Sequence, residues 1–397
     1  MTVAERAGVG ELLQRTWMFS SDSHVIEPPD LWSGRLPKHL AERGPRVVAE
    51  EAGDFWYLDG HMLCSFAGVD VGERFEKSMD ELHMAARFDE VPTGAYIPRR
   101  YLEDNERDGV WGTVIYPTMG LVLFNVPLTE LISATMKAYN DWLGEFCSED
   151  PARLKGVAMV NLDNIEDAVG ELERCRTIGL SGAMITCAPP SWAPLHSEVY
   201  DPFWAAAQDL DMPLSMHCAT ERPDPRVGWD AWVLPERASD PNWLMNRDAT
   251  IRAALADMIL SGVFERFPRL KLGSVENELG WIPFFLNQID FQYTQRANRF
   301  GDRFRIKDRD TIPSQFWRSN CFASFQEDST GMRLRDLIGV DTLVWGSDYP
   351  HVESTFPRSR QILEGVFSDV PPDEVRMIIA QNSMRLYGFE APAAPPS

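Results

Sequence analysis

Residues 342–351 read TLVWGSDYPH: a short, mainly apolar run that stops at Gly346 and delivers Asp348, with His351 three positions further on. A brief apolar run bounded by a glycine reads as a strand buried on both faces, the kind that fills a parallel sheet covered by helices. Working outward from it, seven more β-rich runs precede it, at 17–21, 113–116, 156–160, 182–186, 214–217, 270–275 and 321–324. Segments of helical spacing lie between them. In 128–150, Leu131, Met136, Tyr139, Leu143 and Phe146 fall near a 3.6-residue period, and 164–178, 202–210 and 251–264 read the same way. Strand–helix alternation repeated eight times predicts an α/β fold, a distorted (β/α)8 TIM barrel. An open doubly wound sheet is the competing architecture, and the lack of GxGxxG after the first strand counts against it.

The 397 residues are expected to form one barrel domain, 1–397, since barrels with insertions exceed the usual domain length. Its additions are an N-terminal extension (1–16), an insertion after strand one (28–95), a second after strand five (219–250) placed to act as a lid, and a flexible tail (391–397). Within the first insertion DFWYLDGHML (54–63) reads as a hairpin turning at Asp59-Gly60.

With 38 basic against 60 acidic residues, the net charge of −22 disfavours nucleic acid and anionic membranes as partners and leaves a small-molecule substrate. The six cysteines are scattered without a CxxC pair and read as reduced thiols. The first residues lack a continuous apolar segment and no 18-residue apolar run occurs, so the expected location is the cytoplasm.

The chemistry-bearing residues sit at strand ends. In SSDSHVIEPPDLW (20–32), Asp22 and His24 share one face of an extended chain, because side chains alternate with period two. A carboxylate and an imidazole so placed suit a divalent ion, and equally a simple hydrogen-bonded pair. His217 ends the fifth run, on the same face as Ser215. Alone it would read as a hydrogen-bonded core histidine. Asp348 ends the eighth, where helix capping or a turn before Pro350 is the alternative. In a barrel every C-terminal strand end reaches one rim, so Asp22, His24, His217 and Asp348 are expected to meet as metal ligands. Glu276, at the end of strand six, is a candidate ligand or proton-transfer group, or else a solvated loop acid, and Glu278 lies further into the loop. His39, His61, His83 and His196 read as surface residues, Arg99 and Arg100 as salt-bridge formers with binding of a substrate carboxylate as the alternative, and Cys218 as a thiol with no activating partner.

DSHVIEPPDLW, GAYIPRRYLEDNERDGVWGTVIYPT, AYNDWLGEFCSEDPARLKGVAMV, ENELGWIP and WGSDYPHVEST, in this order over about 20–387, resemble the amidohydrolase superfamily, in particular its branch related to aminocarboxymuconate-semialdehyde decarboxylase. The resemblance implies a distorted barrel with one divalent metal at its C-terminal rim, zinc first and manganese second, and a homodimer. Its acid-x-His motif falls on Asp22 and His24, its strand-five histidine on His217 and its strand-eight aspartate on Asp348. His351 lies in its SDxPH segment, where it orients the loop. Decarboxylases of this branch carry a histidine on strand six that moves a proton. Here Gly273-Ser274-Val275-Glu276 stands instead.

That departure makes a metal-dependent hydrolase the leading expectation for a small aromatic or carboxylated substrate. Asp348 would take a proton from metal-bound water and Glu276 would protonate the leaving group. A non-oxidative decarboxylase on the same scaffold is the alternative, and a catalytically idle ligand-binding barrel is a third.

Overall fold

All eight runs become parallel strands of one sheet in the computed structural model, which describes every residue except 1–2, 67–72, 79–80, 82–86, 233–239, 301–303, 309 and 395–397. The strands are β1 (Met18–Val25), β5 (Val110–Pro117), β6 (Leu154–Met159), β7 (Gly182–Ile185), β8 (Leu214–His217), β9 (Leu272–Val275), β10 (Cys321–Phe325) and β11 (Leu343–Trp345). They pair in sequence order from β1 to β11, each neighbour parallel, as right-handed β–α–β crossovers require. Every residue of β7 to β11 is buried, which is why these strands read as mainly apolar runs, with Ser215, His217, Ser274 and Ser324 the polar exceptions.

The intervening helices bury one stripe each. The helix Thr129–Cys147 turns Leu131, Met136, Tyr139, Leu143 and Phe146 inward, and it packs on β6. The helix Ile165–Thr177 begins where the Asn164 side chain accepts hydrogen bonds from the backbone N–H of Glu166 and Asp167. The N-terminal helix Val3–Arg15 buries Val9 and Leu13 and packs against the helix Ser359–Val366.

The seam between β1 and β11 is closed by side chains. Ser21 Oγ donates to Trp345 O (2.8 Å), Ser347 N to Ser20 Oγ (2.9 Å) and Asp348 N to Asp22 O (2.8 Å), while the Ser20, Ser23 and Ser347 hydroxyls contact one another. β1 runs through Val25 rather than ending near residue 21 because its parallel pairing with β5 continues as far as Val25 opposite Pro117. Its serines are buried because they do the pairing that a neighbouring backbone would otherwise do.

Both insertions stand at C-terminal strand ends. The first holds an antiparallel sheet of β2 (Arg46–Ala49), β3 (Asp54–Leu58) and β4 (His61–Ser65). Its turn is Asp59 (φ 51°) and Gly60 (φ 84°), the two left-handed residues of a tight hairpin. The second insertion reaches this turn: Trp229 stacks on His61 with ring centroids 3.8 Å apart and donates to Asp59 Oδ2 (3.0 Å). Near the C-terminus, Trp17 Nε1 donates to Ala394 O (2.8 Å), so the chain is tied down as far as that residue.

Candidate metal centre

Strand geometry brings the proposed ligands together. Asp22 and His24 project from one face of β1, with His24 Nε2 3.6 Å from Asp22 Oδ1. His24 Nε2 is also 3.2 Å from Asp348 Oδ1. His217 Nε2, at the end of β8, lies 3.7 Å from Asp22 Oδ1 and 3.2 Å from Glu276 Oε2. All five side chains are buried. Just past β9 and β11, Glu276 (φ 57°) and Asp348 (φ 60°) hold left-handed backbone that costs a non-glycine residue roughly 1–2 kcal/mol. The strain turns each carboxylate back toward the barrel mouth.

Four buried atoms here have no hydrogen-bond partner among the described residues: Asp22 Oδ1, His24 Nε2, His217 Nε2 and one oxygen of Asp348, Oδ2. Buried polar atoms are normally paired, and four orphans of these types on facing side chains suit a divalent cation. The imidazoles are also oriented for it. His24 Nδ1 donates to Pro117 O (2.8 Å) and His217 Nδ1 to Cys218 O (3.2 Å), which leaves each Nε2 lone pair facing the cluster. Ser324 Oγ donates to Asp22 Oδ2 (3.3 Å), and His351 Nδ1 to Asp348 Oδ1 (3.0 Å), while His351 Nε2 meets Thr118 Oγ1 (2.9 Å). Asp22, His24 and His217 satisfy the mutual spacing of a metal-binding trio, as do His24, Asp348 and His351. A divalent metal ion fits this site.

Charge makes the same demand. Burial opposes ionisation of Asp22 and Asp348, yet His217 and His24 hold Asp22 below the usual carboxylate range, and His351 and His24 hold Asp348 lower still. Burial likewise opposes the His24 imidazolium, but Asp22 and Asp348 raise it well above its ordinary value. The pocket stabilises positive charge at its centre. Glu276 differs from the other carboxylates: burial and the charge of Asp348 push it up, so it holds a proton more readily.

Asp22, His24, His217, Asp348, Glu276 and His351 therefore all lie together. The peripheral residues lie where surface roles place them: His39 pairs with Glu130, His196 with Asp257, and Arg99 and Arg100 with Glu103. His83 is outside the described residues. Burial pushes the Cys218 thiol well above its ordinary range, the opposite of a nucleophile's requirement. One residue at the site carries no motif in the sequence. Arg247, from the second insertion, places Nη1 3.2 Å from Glu276 Oε1. A lone arginine in an irregular segment has neither periodicity nor spacing to mark it.

Comparison with known proteins bears on the reaction. The chain is 25% identical over 250 residues to a gamma-resorcylate decarboxylase of Polaromonas, covering 58% of this chain and 72% of that one. Among solved structures it superposes on an amidohydrolase from Mycobacterium avium subsp. paratuberculosis (TM-score 0.75, 21% identity, 94% and 99% of the two chains). It also superposes on a 5-carboxyvanillate decarboxylase from Novosphingobium aromaticivorans complexed with manganese (TM-score 0.66, 16% identity, 94% and 97%). The expectation of a hydrolase is overturned, because the relatives with a stated reaction are decarboxylases. The family model described as Amidohydrolase matches residues 129–389, well over half of the chain, and the chain belongs to the amidohydrolase family.

Proposed function

We propose that this protein is a metal-dependent, non-oxidative decarboxylase of small hydroxylated aromatic carboxylic acids. The observation that carries the reading is the buried set of unpartnered ligand atoms with the Glu276 carboxyl, whose proton affinity burial and the charge of Asp348 raise, 3.2 Å from one of them. The relatives' names, gamma-resorcylate and 5-carboxyvanillate decarboxylase, supply the substrate class.

Asp22, His24, His217 and Asp348 would hold the ion. Two imidazoles and two carboxylates form a mixed nitrogen–oxygen set that suits manganese as well as zinc, and the manganese in the related decarboxylase favours manganese. A divalent ion there supplies a fixed positive charge that anchors the anionic oxygens of a substrate and draws electron density from its ring. The remaining work falls to the chain. His351 and Thr118 fix the Asp348 carboxylate, and burial of the cluster excludes bulk water. Glu276 delivers its proton to the ring carbon while the bond from that carbon to the carboxylate breaks. The bond's electron pair stays on the ring, carbon dioxide departs, and Glu276 is reprotonated from solvent.

The acidic surface and free thiols support a cytoplasmic protein without nucleic-acid partners, and we expect a homodimer. Among the described residues no helix is long and apolar enough to cross a membrane.

The test is carbon dioxide release from a panel of mono- and dihydroxybenzoic acids by manganese-loaded protein. Release from at least one acid, abolished by chelation and restored by metal, is expected. Stoichiometric metal with no release from any panel member would defeat the reading, and a protein that takes up no metal would be an inert barrel.

A further inference from the structure

We infer that Arg247 receives the carboxylate of the substrate through the Nε–Nη2 edge of its guanidinium, an inference that rests on the substrate being a carboxylic acid. Arg247 lies between the helices Pro241–Met245 and Asp248–Leu260 in the second insertion. Its side chain is 35% exposed, while the Glu276 it touches is 7% exposed. Nη1 contacts Glu276 Oε1 (3.2 Å) and Cys218 Sγ (3.9 Å). Among the described residues, neither Nε nor Nη2 has a hydrogen-bond partner.

Three other part-buried arginines of the fold set that edge on a carboxylate, while Arg360 leaves Nε and Nη2 without a partner among the described residues. Arg222 sets Nε and Nη2 on Asp163 and Nη1 on Val126 O. Arg266 sets Nε and Nη2 on Asp201 and Nη1 on Ser261 O, and Arg174 divides its three nitrogens between Glu171 and Asp141. Each uses its fork edge on a carboxylate. In Arg247 the same edge is open, and this edge matches a carboxylate with two parallel N–H···O bonds. Glu278 and Glu353 are near enough to favour its charge, but among the described residues Glu276 is the carboxylate it pairs with.

Position gives the edge its meaning. Glu276 stands between the cluster and the arginine, with Oε2 toward His217 and Oε1 toward Arg247. A carboxylate on the open edge would therefore hold the substrate beside the Glu276 carboxyl, which orients the ring toward its proton. Arg247 is thus a binding and specificity residue carried by the insertion, not by a barrel strand.

The experiment uses full-length, manganese-loaded protein and tryptophan fluorescence to titrate salicylate and its neutral analogue salicylamide. Wild type should prefer salicylate. Arg247→Gln should weaken salicylate by about 10- to 100-fold and leave salicylamide, metal content and thermal unfolding unchanged, as loss of a charged hydrogen-bonded pair requires. Arg247→Lys should restore part of the loss. Salicylate affinity unchanged in Arg247→Gln, or an equal loss of both ligands with metal retained, would overturn the inference. Because binding is read without turnover, an inactive protein that still shows this charge-selective loss would defeat the decarboxylase reading and leave the role of Arg247 standing.

Discussion

Replacing Gly346 by alanine tests the centre from behind. A Cβ at this position would lie 2.3 Å from Asp22 Cβ and 3.1 Å from Asp22 N and Cα, whereas ordinary contact begins at 3.4 Å. These are backbone and first side-chain atoms on a buried strand, with no flexible tip to swing aside, so β1 has to give way by about 1 Å. Metal sites hold their ligand distances to within about 0.2 Å. A shift several times larger at Asp22 should weaken manganese binding by at least the ~10- to 100-fold seen when supporting residues are lost. Overpacking the seam should also destabilise the metal-free fold by roughly 1–3 kcal/mol. Isothermal titration with manganese and urea unfolding of the metal-free protein read the two effects separately. A Gly346→Ala protein that binds manganese with wild-type affinity would refute the placement of Asp22 in the centre.

Three other outcomes are expected. Gly170, within the helix Ile165–Thr177, has open space where a methyl group would stand, with nothing within 4 Å, so Gly170→Ala should stabilise the protein by roughly 0.5–1 kcal/mol in urea unfolding without altering metal content. Asp108 is pushed up to about 7, burial outweighing its bonds from Ser359. Its folded value lies above the unfolded one near 3.8, so its stabilising contribution is complete below about pH 4 and is lost as pH rises through about 7. Asp108→Asn should therefore flatten the fall in stability between about pH 4 and 7 measured by urea titration, by an amount on the order of a few kcal/mol. Manganese must displace the proton that Asp22 and Asp348 hold on His24, so affinity should rise with pH by up to about tenfold per unit where that proton is bound, and a pH-independent affinity would count against His24 as a ligand.

Much of this architecture is legible in the residues. The strands β7 and β11 stand out because burial on both faces leaves only apolar side chains, and the hairpin at Asp59-Gly60 because few residues accept left-handed backbone in succession. The extent of β1 is not legible, since SSDSHV looks like a loop until its pairing with β5 and the bonds of Ser20, Ser21 and Ser23 to Ser347 and Trp345 are seen. The gathering of Asp22, His24, His217 and Asp348 follows from strand ends sharing one rim. The reaction does not follow from it, because the same ligand set serves hydrolysis and decarboxylation. Glu276 is legible as the ionisable group of strand six, but its raised proton affinity depends on burial beside Asp348. Arg247 emerges only when the fold carries an insertion residue onto Glu276.

The reaction proposed for this centre removes a carboxyl group and replaces it with a proton. The most direct measurement is nuclear magnetic resonance of the product formed by manganese-loaded protein from a turned-over hydroxybenzoic acid in deuterium oxide. One deuterium at the ring carbon that carried the carboxyl, with release of one carbon dioxide, is the predicted result, and Glu276→Gln should slow it with metal still bound. A product that keeps its carboxyl group and has gained the elements of water instead would contradict the account.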